Sequence, residues 1–281
     1  MPKEPRQGPA VLGRVHQRIC ARPSGSVFCS ISPVYPNLLH FGFLTIPTFG
    51  LLAAVGLMAA LALSLKTAAM VGLNPDRVWN AGIFMIVAAF VLSRLLLVLT
   101  NLSSFITYPI LLLMVPSLTP LGLLLTTIAT VVYLRLRGLN LLLTLDAWAP
   151  CAALAWAFLA LGHFAESSDP GLPSGLPWAV HVTASSLRLH PVALYVALAA
   201  VGIVFVLLRC LRIERHEGDT FVLGLLLSGL VQFLLTFFRQ PDIAENTFGN
   251  LLDPIQWVAL GMMVVAMLVW LQPRKQVVHA V

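Results

Sequence analysis

Continuous apolar runs of about 20 residues recur along the chain, and no other feature restricts its fold so tightly. We read seven of them, at 44–65, 78–100, 106–134, 147–164, 191–211, 221–238 and 251–271. Inside a bilayer every backbone donor and acceptor must find a partner within the protein, which leaves only helices and closed barrels. These runs are unbroken rather than alternating and are rich in Leu, Ala and Val, so helices are expected. A chain that is 59% hydrophobic and only 10% charged has no ordinary polar surface, which excludes a soluble domain. The expected fold class is all-α, a polytopic membrane protein with about seven transmembrane helices.

The third run carries Pro116 and Pro120, so a short re-entrant piece followed by a full crossing is expected there. No internal repeat stands out. Residues 1–43 read as a basic, disordered extension or as translation from an upstream start codon, because they lack the apolar core of a signal peptide. Residues 44–272 form the expected seven-helix domain, with a Ser-, Pro- and Gly-containing loop at 165–190 and a tail at 273–281.

Orientation follows from the basic residues of the short loops. Lys66, Arg77, Arg135, Arg137, Arg209, Arg212, Arg215, Arg274 and Lys275 fall on one side; between spans the other side has only Arg188 and Arg239. The first side is expected to be cytoplasmic, with the N-terminus outside and the C-terminus inside. Lys3, Arg6, Arg14, Arg18 and Arg22 oppose that assignment, but the loop asymmetry outweighs them. The net charge of +6 therefore reads as cytoplasmic loops meeting anionic lipid, with no nucleic-acid partner. Cys20, Cys29, Cys151 and Cys210 show no metal-ligand spacing, and no metal or cofactor is expected.

Groups capable of chemistry gather on the outer side. His163, Glu166 and Asp169 follow the fourth run; Arg188, His190 and Tyr195 introduce the fifth; Arg239, Asp242 and Glu245 follow the sixth. Arg94 lies within the second run, with Asn101 just beyond it. An arginine at that depth either faces a cavity and a bound anion, or pairs and snorkels. Arg188 and Arg239 either meet a lipid headgroup or anchor the interface. His163 either packs or takes part in proton transfer, and His190, before Pro191, either caps a helix or does the same. Asp146 reads as the N-cap of the fourth helix.

In this order the residues resemble the prolipoprotein diacylglyceryl transferase family. The similarity is carried by Pro47-Thr48-Phe49-Gly50, Arg94 with Asn101, Leu176-Pro177-Trp178-Ala179-Val180, His190-Pro191 with Leu194-Tyr195, the segment from Phe237 to Asp242, and Gln256. The resemblance implies a multi-pass protein of the bacterial inner (plasma) membrane. It also implies transfer of diacylglycerol from phosphatidylglycerol to the lipobox cysteine of lipoprotein precursors. That reaction needs a base or electropositive pocket to make a thiolate, and cations to hold the phosphate that leaves. On this resemblance His190 and His163 are expected to handle the proton. Arg94, Arg239 and Arg188 are expected to bind phosphate, with Asn101, Tyr195 and Gln232 in support.

The chain departs from the family pattern at several positions. A His-Gly-Gly run becomes Pro120-Leu121-Gly122, and Gly-Arg-x-Gly-Asn/Cys-Phe becomes Leu159-Ala160-Leu161-Gly162-His163-Phe164. Gln232 replaces a second arginine, Phe49 a tyrosine and Val196 a glutamate. The alternative is a relative that keeps the lipid cavity and binds a lipid or a membrane partner without catalysis. A transporter ranks third, for want of an inverted repeat.

Overall fold

Apolar runs do not by themselves say where helices end; capping groups and breakers at the membrane boundaries do. The computed structural model describes residues 37–41, 44–100, 119–169, 171–181, 188–213, 215–240, 253–272 and 276–277. Within these lie seven helices: α1 (Thr48–Met70), α2 (Pro75–Thr100), α3 (Pro120–Leu136), α4 (Leu141–Glu166), α5 (Val192–Cys210), α6 (Asp219–Thr236) and α7 (Pro254–Trp270). Five of them, α1, α2, α4, α5 and α6, are long and apolar enough to cross a membrane. The other two, α3 and α7, have 17 residues each. The chain is an all-helical protein of polytopic membrane type.

Several boundaries differ from the sequence expectation. Residues Leu44–Pro47 are a strand, β2, paired antiparallel with β1 (Asn37–Phe41), so α1 starts only at Thr48. The fourth helix begins at Leu141, capped by the Asn140 side chain, which accepts from the Leu142 N–H at 3.1 Å. Asp146 is therefore not its N-cap. It lies fully buried within α4, and its carboxylate accepts from the backbone N–H groups of Gly218 at 2.7 Å and Phe221 at 2.9 Å. It caps the start of α6, 72 residues away in sequence. Gly218, at φ +89°, supplies the left-handed turn that aims its N–H at that carboxylate. The expected break near Pro116 lies outside the described residues, as do Asn101, Asp242 and Glu245.

Small side chains set the packing. Gly56, Ala60, Ser64 and Ala68 recur every fourth residue on α1 and are buried, and α1 lies along α4. A β-carbon on Gly56 would stand 2.4 Å from the Phe158 side chain, so the close approach of these helices depends on that glycine. α4 is central, packing on α1, α5 and α6, while α2 packs on α3 and α6 on α7. Ala153, Ile203, Val204 and Leu207 form a core between α4 and α5, closed by Leu223 and Leu227 of α6. Large apolar residues such as Met58, Phe90 and Phe205 point outward, as lipid-facing surfaces require.

Candidate functional site

The loop from α4 to α5 folds back over the helix ends and fixes their mutual geometry. Leu172 N–H donates to the Phe238 carbonyl at 2.9 Å, Ser174 N–H to Arg188 at 2.8 Å, and His190 N–H to Leu172 at 3.0 Å. Two short strands, β3 (Val180–His181) and β4 (Arg188–Leu189), pair beside this ladder. A β-carbon at Gly171 would sit 2.3 Å from the His190 carbonyl oxygen, so only glycine allows the loop to lie this close. Gly171 also bridges to Arg239 through the backbone. The exit of α6, the end of α4 and the start of α5 thus meet at one place.

That meeting point is a cleft of about 240 Å³, lined by Trp156, Ala160 and His163 of α4, Ala193 and Val196 of α5, Gln232 and Thr236 of α6, and Asp169 and Arg239 beyond the helix ends. The Arg239 guanidinium is ion-paired with Asp169 across it, and both side chains are partly buried. His163 Nδ1 is hydrogen-bonded to Ser168 Oγ at 2.9 Å, and its ring lies 4.9 Å from that of Phe49 at the start of α1. Gly162 makes room for Phe49, since a β-carbon there would approach its ring to 2.7 Å. The positions where the family sequence has tyrosine and arginine, here Phe49 and Ala160, therefore border the same histidine.

A smaller recess of about 30 Å³ adjoins the cleft and shares His163, Asp169 and Ala193 with it; His190 lines this recess. The Tyr195 hydroxyl, which accepts from Trp178 Nε1 at 2.8 Å, lies 3.5 Å from His190 Nδ1. The Phe238 ring packs edge-on against His190 at 5.6 Å. Below the cleft, an apolar groove of about 480 Å³ runs between α4, α6 and α7 past Ala152, Leu225 and Met262. It shares Trp156 and Gln232 with the polar cleft, so one wall serves both. A charged cleft and an apolar groove thus lie side by side.

The structure brings together His163, Gln232 and Arg239, with His190 and Tyr195 next to them. Arg94 is not part of this cleft: it lies on α2, its guanidinium 5.3 Å above the Phe90 ring. Arg188 has an exposed side chain and lies outside the cleft lining. Asn101 lies outside the described residues. Asp169 was noted in the sequence but not placed in the site, and Trp156 was not noted at all. For Asp169 the only signal was a carboxylate just past a span. For Trp156, an aromatic in an apolar run, there was none.

Residues 36–272 match the family model described as Prolipoprotein diacylglyceryl transferase. A phosphatidylglycerol–prolipoprotein diacylglyceryl transferase of Clostridium tetani is 26% identical over 248 residues, covering 84% of this chain and 96% of that protein. One of Vibrio atlanticus is 27% identical over 263 residues, covering 88% and 94%. One of Paracidovorax citrulli is 31% identical over a shorter stretch of 163 residues, 55% of this chain and 60% of the relative.

Proposed function

The chain belongs to the prolipoprotein diacylglyceryl transferase family, and from that premise we propose that it transfers diacylglycerol from phosphatidylglycerol to the lipobox cysteine of lipoprotein precursors. The observation that carries this reading is the shared wall of Trp156 and Gln232, which joins the Arg239 cleft to the apolar groove. The lipid phosphate displaces Asp169 from Arg239, whose planar fork of donors suits a phosphodiester. The acyl chains lie in the groove, which leaves the glyceryl carbon nearest the phosphate at the wall.

The precursor's thiol gives its proton to His163, with His190 in the neighbouring recess as the second candidate base. The sulfur attacks that glyceryl carbon, a C–S bond forms, the C–O bond breaks, and glycerol phosphate leaves with the electron pair. Arg239 stabilises the charge on the departing phosphate, and Gln232 offers a neutral amide donor where the family sequence has arginine. No cofactor or metal enters this scheme. The orientation that suits it places the cleft on the outer face of a bacterial plasma membrane and the C-terminus in the cytoplasm, as the loop charges predict.

Complementation of a strain depleted of its own transferase tests the reading. Rescue is expected from the parent chain and is expected to fail with Arg239→Ala, which should lower the transfer rate by roughly a hundredfold or more. His163→Ala should also fail, and rescue by His163→Ala but not by His190→Ala would move the base to His190. Survival of both Arg239→Ala and His163→Ala at normal membrane levels would overturn these roles.

A further inference from the structure

We propose that the end of the molecule opposite the Arg239 cleft carries a second anion site, formed by Arg77, Asn80, Tyr133 and Arg137, which holds the phosphate of an anionic lipid headgroup. These four residues and Leu136 line a cleft of about 430 Å³ between the start of α2 and the end of α3. Its walls are fixed across the two helices, because Tyr133 of α3 stacks on Phe84 of α2 with ring centroids 4.2 Å apart and planes 13° from parallel. The Arg137 guanidinium lies 5.3 Å above the same Tyr133 ring, which restricts where that charge can go.

Among the described residues neither Arg77 nor Arg137 is ion-paired with a carboxylate, whereas Arg239 at the far end is paired with Asp169. Arg77 stands in the first turn of α2, where the helix macrodipole disfavours a cation and favours the neighbouring Asp76 carboxylate. Asn74 Oδ1 accepts from the backbone N–H groups of Asp76 and Arg77, which satisfies those donors but adds no charge. A bound phosphate would give both guanidinium groups an anionic acceptor.

Phosphate could reach the cleft from a lipid or from solution, and the surroundings favour the lipid. Leu136, between Arg135 and Arg137, is 82% exposed, and Val132 one turn earlier is exposed as well. An apolar strip beside paired cations presents a surface for acyl chains below and a headgroup above. The site needs no transfer chemistry, so it stands or falls independently of the function proposed above.

Native mass spectrometry of the full chain in detergent, titrated with dioleoyl-phosphatidylglycerol, tests it. The parent should retain two lipids, and Arg77→Gln/Arg137→Gln should retain one, with the second bound on the order of tenfold more weakly. Arg239→Gln should remove the other lipid and leave this one. Arg77→Lys/Arg137→Lys should restore part of the binding, which separates charge from folding. Two lipids of unchanged affinity in the Gln double variant would overturn the site. Inorganic phosphate bound through these arginines without any second lipid would overturn the lipid assignment.

Discussion

At the scale of single residues, the site rests on one cation and the carboxylate that holds it. Asp169 is paired with the guanidinium proposed to hold the lipid phosphate, so Asp169→Asn should lower KM for phosphatidylglycerol by about two- to fivefold, the worth of a partly exposed ion pair. A KM that rises would show that Asp169 helps to bind substrate. Gln232 stands in the wall between cleft and groove. Gln232→Arg would add a second cation there and should raise kcat on the order of tenfold, measured as product formed at saturating lipid. A fall in kcat would mean that the amide geometry matters more than charge. Arg239 was legible in the sequence because a cation at the end of an apolar run is conspicuous. Its pairing with Asp169, 70 residues away, was not, since only the fold of the intervening loop creates it. Arg94 was conspicuous in the same way; it lies on α2 and is not among the residues lining the Arg239 cleft. Depth along a helix can be read from sequence; the direction in which a side chain points cannot.

At the scale of elements, helices were legible from hydropathy and their ends were not. The run read at 147–164 was cut at Asp146, yet the helix starts at Leu141, capped by Asn140, and Leu141, Leu142, Leu143 and Leu145 precede that carboxylate. Asp146 looked like a cap for that reason and proves to cap a different helix. It joins the middle of the bundle to the α5–α6 turn through two charge-assisted hydrogen bonds in a dry setting. Asp146→Ala should therefore destabilise the protein by about 2–4 kcal/mol, seen as a lower midpoint of thermal unfolding in detergent. Asp146→Asn, which keeps one acceptor oxygen, should lose less. An Ala variant that melts with the parent would show that α6 is held by packing alone. The hairpin at Asn37–Phe41 and Leu44–Pro47 was missed because Leu44 to Pro47 continue the apolar composition of the helix they precede.

At the scale of the whole molecule, two ends of one bundle carry different chemistry: a paired, partly buried cleft at one and basic loops at the other. The asymmetry of Lys and Arg predicts that the basic end faces the cytoplasm. A fluorescent protein fused after Val281 should then fluoresce while an alkaline phosphatase fused there stays inactive, and a cysteine placed at Ser174 should react with an impermeant maleimide added to intact cells. The opposite pattern would invert the protein and remove the cleft from the side where precursors are expected to be exposed. The central claim is that this chain transfers diacylglycerol although Ala160 and Gln232 replace two arginines of the family sequence. The most direct measurement reconstitutes the purified chain in phosphatidylglycerol liposomes with a lipobox peptide and follows both products. The account predicts a peptide heavier by one diacylglyceryl group on its cysteine and an equal amount of released glycerol phosphate, both lost with Arg239→Gln. Folded protein that binds the lipid yet yields neither product would contradict it.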